Sequence, residues 1–470
     1  MEPITVKELT KACGGRLLCG KEDTLAAHIS IDSRSITGGD LFVPLAGERN
    51  DAHRFIRQAF ENGAAAVLTS RHKTLEQVLE DGQDPAAESA GGDFRLLHPW
   101  IAVEDTRQAL QALGSYYRSL RDIPVVGITG SVGKTTAKEM VAQALTAKFR
   151  VLKTAGNQNS QIGVPFTVCG LKKEHTAAVV EMGVSIPGEM GRIAAVVRPT
   201  CAVMTNIGVS HIEFMKTREN ILKEKAHIAD YLPADGALFV NGDDDLLPTL
   251  KESLGSKVVT FGLGPTCDWR ASSLKEADKG TFFTCQSPTG ERTEVFVPAA
   301  GEHNVRNALA SMAVARYLGV PAEDAVRAIS AYKSPAMRQQ VVEANGLLII
   351  DDSYNASPDS MRSALDVLQS RKVTGRRAAV LADMLELGDF SQQGHYQVGQ
   401  YAREKGVDLL VGIGPLSKEI VAGYGEGGLW FETNQQAIDY LKETLREGDA
   451  VLVKGSRGMK TDQIVAALKE

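Results

Sequence analysis

Gly127-Ile128-Thr129-Gly130-Ser131-Val132-Gly133-Lys134-Thr135-Thr136 is the stretch that decides the fold. Residues 123–129 leading into it are apolar and of β type, and residues 136–149 leading out of it are helix-prone. Strand, glycine-rich turn and helix follow one another, which places backbone N–H groups and a helix N-terminus where they can hold phosphate oxygens. Glycines allow the chain to approach an anion closely, Lys134 can reach β- and γ-phosphates, and the Thr135 hydroxyl can ligate Mg²⁺. Gly130, Ser131, Gly133, Lys134, Thr135 and Thr136 are therefore the candidate nucleotide-phosphate residues. The common G-x-x-x-x-G-K-[ST] spacing is not met, because Ile128 stands five before Gly133 and the glycine lies one earlier, at Gly127. The plainer reading is a glycine-rich turn capped by threonine.

Moving outward, residues 177–181, 201–205 and 237–241 are strand candidates separated by helix-length spacers, the rhythm of a largely parallel sheet. Beyond residues 332–335 the runs at 347–351, 377–382, 409–413 and 450–454 alternate with helical stretches, as in a Rossmann-like domain. Towards the N-terminus, strand-like runs at 40–45 and 64–69 and a helical stretch at 53–62 indicate a small α/β unit, and the polar residues 81–93 suit an exposed loop late in it. The expected fold is α/β in three domains: residues 1–105, residues 106–332 around a P-loop-type mostly parallel sheet, and the Rossmann-like residues 333–470.

The bulk composition narrows the function. With 470 residues, 43% of them hydrophobic and 23% charged, the chain can bury several cores. A net charge of −6 argues against a surface devoted to nucleic acid. The six cysteines are scattered without zinc-binding spacing and are expected to be reduced thiols. Residues 1–15 lack the pattern of a signal peptide and no apolar run reaches a membrane span, so the cytoplasm is the expected compartment.

Two further positions carry chemistry on their own. Glu181 ends the apolar run Ala177-Ala-Val-Val180, at the carboxyl edge of a strand where α/β sites gather; it is a candidate Mg²⁺ ligand or a solvated strand end. His211 follows Thr205-Asn-Ile-Gly208 and is either a metal ligand or a structural histidine.

The variant phosphate loop resembles that of the Mur ligases, the ATP-dependent amino-acid-adding enzymes of peptidoglycan synthesis, and of the related folylpolyglutamate synthetases. More landmarks in order carry the likeness along nearly the whole chain: Gly156-Asn-Gln-Asn-Ser-Gln-Ile-Gly-Val-Pro165, Glu181-Met-Gly183, Thr205-Asn-Ile-Gly-Val-Ser-His211, Glu224-Lys225-Ala226, Glu302-His-Asn304-Val-Arg-Asn307, Ser334-Pro-Ala-Met-Arg338 and Asp351-Asp-Ser-Tyr-Asn-Ala-Ser-Pro358. Asp32-Ser-Arg34 running on through Gly39-Asp-Leu-Phe-Val-Pro-Leu-Ala-Gly-Glu48, Asp352-Ser-Tyr-Asn-Ala-Ser-Pro358 and Val453-Lys-Gly-Ser-Arg-Gly458 place it nearest the branch that adds D-alanyl-D-alanine to a UDP-N-acetylmuramoyl tripeptide. Ser160-Gln161 after Asn159 departs from that pattern in the loop that would face the peptide.

The resemblance implies an ATP-dependent ligase working through an acyl phosphate. Two Mg²⁺ ions would be held by Thr135, Glu181, His211 and Lys225, the last carbamylated into a carboxylate-like group. Read without the family, Lys223-Glu-Lys225 is a solvated charged helix face. Asn304 and Asn307, three apart on a helix, would read the adenine edge, with Asn304 as an N-cap the alternative. Arg338 would reach the γ-phosphate when domains close, and Asp352 would hold the ribose while Tyr354 and Asn355 shape the nearby loop, which otherwise is an ordinary turn before Pro358. Catalytic roles thus fall to Lys134, Lys225, His211 and Arg338. The UDP-sugar would meet Ser33, Arg34, Arg49, Asn50 and His53, the peptide Asn157, Asn159 and Ser160, and the dipeptide carboxylate Lys454, Ser456 and Arg457. A monomer with no nucleic-acid partner is expected. The rivals are another amino-acid-adding ligase of the superfamily, a folylpolyglutamate-type ligase, and, in a different class, a P-loop nucleotide switch.

Overall fold

The computed structural model describes residues 1–47, 50–277 and 279–470, which fold as two compact units. The first comprises residues 1–125, 150–182 and 191–199, the second residues 126–149, 183–190 and 200–470.

In the first unit a five-stranded sheet runs in the order Arg16–Cys19, Trp100–Ala102, Ala64–Thr69, Asp40–Phe42, His28–Ser30. All its neighbours are parallel except the Arg16–Cys19 edge. The expected helix at 53–62 is a 3₁₀ turn, Ala52–Phe55, followed by Ile56–Glu61. The polar stretch at 81–93 is not simply an exposed loop. Asp84 is buried, accepting hydrogen bonds from His98 Nδ1 at 2.8 Å and Trp100 Nε1 at 3.1 Å, so it pins the loop to the sheet. Burial opposes ionisation there, but these donors outweigh it and hold the carboxyl below its usual pKa. The helix Thr106–Ser119 buries Ala109, Leu110, Leu113 and Tyr117, the i, i+3/i+4 stripe expected of an amphipathic helix, in a core shared with Val6, Leu9 and Cys169. Val151–Lys153 and Ala177–Glu181 form a parallel pair.

In the second unit one strand run has the order Val125–Thr129, Cys201–Met204, Ala237–Asn241, Val258–Gly262, Trp269–Ala277, Gly280–Gln286, Arg292–Val297. Its first five members are parallel, and the last two add an antiparallel extension that the sequence reading missed. The second sheet runs Gln340–Ala344, Leu347–Asp352, Ala450–Lys454, Arg377–Ala382, Leu409–Ile413, Leu429–Phe431, parallel apart from its first pair. Consecutive residues leave opposite faces of a strand. Ile350, Leu452 and Leu381 accordingly pack with Met361, Leu365, Val398 and Ile420 from three helices, while Ile349, Val451 and Val380 pack with Leu441, Ile464 and Leu468 from two others. Burying each such side chain contributes about 1.5–3 kcal/mol, so apolar strands sandwiched between helices are the stable outcome. All six cysteines are free, as the sequence suggests for reduced thiols, and burial pushes Cys169 and Cys201 up to about 12.

Candidate active site

The phosphate loop lies at the carboxyl edge of the first strand run of the second unit. Register pairs Thr129 with Met204, so the loops leaving both strands meet there. Ser131 N–H donates to the Asn206 carbonyl at 3.0 Å and Val132 N–H to the Asn206 side-chain oxygen at 2.8 Å. Thr205 Oγ1 donates to the Val132 carbonyl at 2.5 Å. Gly130 has φ +147, and a Cβ there would sit 2.0 Å from Thr205 Oγ1, so neither the conformation nor the space admits another residue. Gly133, at φ +82, is the N-cap of the helix Lys134–Leu145, whose positive dipole end therefore opens directly from the loop, as anion binding requires. Lys134 Nζ donates to the Gly130 carbonyl at 2.8 Å and the Ser131 carbonyl at 3.3 Å, folded over the loop it serves. The Ser131 hydroxyl is buried and has no hydrogen-bond partner among the described residues, a place that a phosphate oxygen would fill.

Arg338 reaches this loop from the start of the C-terminal region. Its Nη2 donates to Thr135 Oγ1 at 3.2 Å, and its guanidinium lies 4.0 Å above the centre of the Tyr354 ring. Asp352, expected to hold a ribose, and Lys454, expected to take a carboxylate, are each other's partners. Lys454 Nζ donates to Asp352 Oδ2 at 2.6 Å and to the Asn355 carbonyl at 2.9 Å, with both side chains buried. Burial pushes the Lys454 pKa down and Asp352 opposes the shift. Ser456 is buried and accepts from Leu385 N–H at 2.9 Å, while Arg457 is more than half exposed. Asn355 is exposed, its Oδ1 accepting from Ala356 N–H at 2.9 Å.

The helix Arg218–Ala226 carries Lys225. A solvated face describes Lys223 but not its two neighbours, since Glu224 and Lys225 are buried. Glu224 accepts from Gly188 N–H and Met190 N–H, both at 2.7 Å, capping the turn that opens the helix Glu189–Val197. Burial, and then the positive charge of Lys134, pushes the Lys225 pKa well below the usual lysine value, against opposing pulls from Glu224 and Glu189. His211 has φ +62, and its Nδ1 lies 2.7 Å from Glu386 Oε2.

Both asparagines on the helix Glu302–Tyr317 are buried, but they do different things. Asn304 is inside the helix, not at its cap, and its Nδ2 donates back to the Ala300 carbonyl at 2.7 Å. Asn307 turns to the phosphate loop, its amide 3.8 Å from where a Cβ on Gly133 would stand.

Within the first unit, Asn159 Nδ2 donates to Glu181 Oε1 at 2.8 Å, and Glu181 is buried at its strand end. Asn157 is exposed, and Ser160 Oγ accepts from Ile162 N–H and Gly163 N–H, both at 3.3 Å. The cluster expected to meet a UDP-sugar is less open than its composition suggests. Ser33 is buried and donates to Gln58 Oε1 at 2.8 Å, and Arg34 is paired with Asp32 through two bonds of 2.9 and 2.7 Å, though it remains exposed. His53 holds its Nδ1 at 2.6 Å from Asp51 Oδ1 and accepts from Ser70 N–H through Nε2 at 3.2 Å. Both ring nitrogens are thereby engaged within the chain. Asn50 is exposed; Arg49 lies outside the described residues.

Sequence reasoning missed Glu386 and Asp359. The Asp359 carboxylate accepts from Val209 N–H at 3.3 Å and fills the space where a Cβ on Gly208 would be, holding the loop that carries His211. No spacing rule joins residues 150 positions apart, and a glutamate gives no warning of the left-handed φ of +64 found at Glu386.

Three stretches match known families: residues 26–118 the Mur ligase family, catalytic domain; residues 128–315 the Mur ligase middle domain; residues 337–457 the Mur ligase, glutamate ligase domain. The chain is 36% identical to a Bacillus subtilis protein named UDP-N-acetylmuramoyl-tripeptide--D-alanyl-D-alanine ligase, over 99% of this chain and 98% of that one. Among solved structures, MurF from Acinetobacter baumannii superposes with a TM-score of 0.89 at 32% identity, covering 100% of this chain and 99% of that chain. MurF ligase from Thermotoga maritima, solved in complex with ADP, gives 0.80 at 26% identity over 94% and 97% of the two chains.

Proposed function

Because the chain belongs to the Mur ligase family, we propose that it joins D-alanyl-D-alanine to UDP-N-acetylmuramoyl tripeptide at the expense of ATP, giving the pentapeptide precursor of peptidoglycan, ADP and phosphate. The observation that carries the reading is the 3.2 Å hydrogen bond from Arg338 to Thr135, which brings a cation to the phosphate-gripping turn. A P-loop switch can also use an arginine, but here it comes from residues 337–457, which match the Mur ligase, glutamate ligase domain. We assign residues 1–105 to the UDP-sugar, 106–332 to ATP and 333–470 to the incoming dipeptide, in a monomer of the cytoplasm. Among the described residues no helix is long and apolar enough to cross a membrane.

A carboxylate is a poor acylating agent because oxide would have to leave, so it must first be activated. The tripeptide's terminal carboxylate attacks the γ-phosphate, ADP departs, and the acyl phosphate that results is attacked by the free amine of the dipeptide. Phosphate then leaves and an amide remains. The chain's residues mainly align oxygens and offset negative charge. Lys134 turns from the Gly130 and Ser131 carbonyls to the β- and γ-phosphates, Arg338 meets the charge that builds on the transferred group, and Asn307 steadies the turn at Gly133. Asp352, held by Lys454, offers its remaining carboxylate oxygen to the ribose, while Arg457 and Ser456 receive the dipeptide carboxylate.

The donor set fits Mg²⁺. Thr135 and the buried Glu181 offer oxygen donors, the kind taken by a hard ion that shares its shell with phosphate oxygens. Thr135, Glu181, His211 and carbamylated Lys225 would hold two such ions, which supply further charge neutralisation when bound. Burial beside Lys134 favours the neutral amine of Lys225, the form that adds CO₂.

The acyl phosphate is tested with tripeptide substrate labelled with ¹⁸O in its terminal carboxylate. One label should appear in the released phosphate; phosphate free of label would exclude this route.

A further inference from the structure

Two guanidinium groups share one aromatic ring. Arg338 Cζ lies 4.0 Å and Arg457 Cζ 5.9 Å from the centre of the Tyr354 ring. The surrounding bonds tie the three residues together: Arg457 Nη1 donates to Met337 Sδ at 3.4 Å, and Tyr354 N–H donates to the Met337 carbonyl at 3.3 Å. Met337 and Gln339, on either side of Arg338, have φ of +59 and +52. Non-glycine residues rarely adopt that conformation, so the direction of the Arg338 side chain is imposed by its surroundings and not by local backbone preference.

We infer that Tyr354 is a positioning residue that couples the dipeptide-carboxylate site at Arg457 to the alignment of Arg338 on the phosphate loop. The inference rests on the roles assigned above to the two arginines. Its physical basis is the attraction of each cation to the ring face, opposed by the repulsion of the cations for each other. Arg457 Nη1 already lies 3.6 Å from Asp462 Oδ2, a pair more than a third exposed and so screened by solvent, and a carboxylate bound at Arg457 completes the neutralisation. The repulsion falls, and Arg338 is held more firmly over the ring and against Thr135. Phosphates that neutralise Arg338 favour the hold on Arg457 in the same way. Coupling of this kind is reciprocal, so each ligand tightens the other by the same factor. ATP would then be gripped in its reactive alignment chiefly when the acceptor that will use the acyl phosphate is present.

The test is titration calorimetry of a non-hydrolysable ATP analogue into the full chain with the UDP-tripeptide present, with and without saturating D-alanyl-D-alanine. In the unmodified protein the dipeptide should tighten analogue binding by about two- to thirty-fold, the range open to a ring–cation contact. Tyr354→Leu should abolish that enhancement, and Tyr354→Phe, which keeps the ring, should retain it. A merely structural tyrosine would lower thermal stability in the leucine variant while leaving the enhancement intact, and that result overturns the inference. Absence of any enhancement in the unmodified protein overturns it as well. Arg457→Ala separates two kinds of failure. If this variant leaves the KM for dipeptide unchanged, the assignment of Arg457 falls and the inference with it. If the KM rises but Tyr354→Leu keeps the enhancement, only the inference falls.

Discussion

His211 Nδ1 lies 2.7 Å from Glu386 Oε2, and both residues hold left-handed backbone conformations, with φ of +62 and +64. Such conformations cost about 1–3 kcal/mol each in non-glycine residues. The His211 segment is held in place by Asp359, which accepts from Val209 N–H two residues before it. The approach of Glu386 falls outside hydrogen-bond geometry, so the carboxylate acts on Nδ1 by charge, and a carboxylate on that side of the ring leaves Nε2 to face a metal.

Glu386→Gln should therefore weaken binding of a divalent ion by about ten- to a hundred-fold without abolishing nucleotide binding. Mn²⁺ titration followed by electron paramagnetic resonance, with ADP present, measures this directly. Unchanged Mn²⁺ affinity would show that the pair is only a tie between loops.

Lys225 is the next test. Lys225→Ala should lose nearly all ligase activity, and acetate or formate should restore a measurable part of it by standing in for the carbamate oxygens. The unmodified protein equilibrated with ¹³C-bicarbonate should show a carbamate carbon by NMR that the variant lacks. A missing carbamate signal together with no rescue would leave Lys225 as a buried amine of another role.

A methyl group placed at Gly208 would lie 2.0 Å from Asp359 Oδ2. Gly208→Ala should destabilise the protein by more than 1 kcal/mol, on the order of other overpacked sites. Asp359→Ala removes the obstructing carboxylate, so the double variant should be more stable than the two single losses predict. Denaturant unfolding of the four proteins gives the answer, and strict additivity would contradict the contact.

Acid stability has a named contributor in Asp449, which is buried and accepts from Arg376 N–H at 2.7 Å, Arg376 Nη2 at 2.8 Å and Arg446 N–H at 3.0 Å. Burial opposes its ionisation, but these donors outweigh burial and hold its pKa below the usual value. The folded pKa thus lies below the unfolded value of about 3.9, so the contribution is present above roughly pH 4 and is lost as pH falls through the folded value. Asp449→Asn should lower stability at pH 7 by about 1–3 kcal/mol. It should also flatten the acid limb of a plot of Tm against pH, and an unaltered limb would assign acid unfolding to other carboxylates.

What was legible in the sequence follows the physics of each feature. Strands such as Arg377–Ala382 and Ala450–Lys454 are largely apolar runs because helices cover both faces, and, like Ala177–Glu181, they appear at the expected residues. The phosphate loop was readable because Gly130 and Gly133 meet conformational demands that glycine alone satisfies cheaply. The antiparallel strands Trp269–Ala277, Gly280–Gln286 and Arg292–Val297 alternate exposed with buried positions at their solvent side, a weaker signal than a continuous apolar run. Lys225 was legible only through family likeness, since charge spacing alone makes it a solvated residue. Pairings such as Asp352 with Lys454 and His211 with Glu386 join positions far apart in the chain, and no local pattern announces them.

The central claim is that the chain makes an amide from a muramoyl tripeptide and a dipeptide. Phosphate release is measured with ATP, Mg²⁺ and UDP-N-acetylmuramoyl tripeptide while the amine is varied. Sustained release that requires D-alanyl-D-alanine, with one pentapeptide product formed per phosphate, is the expected result. Release supported only by a single amino acid, or continuing undiminished with no amine acceptor, would contradict it.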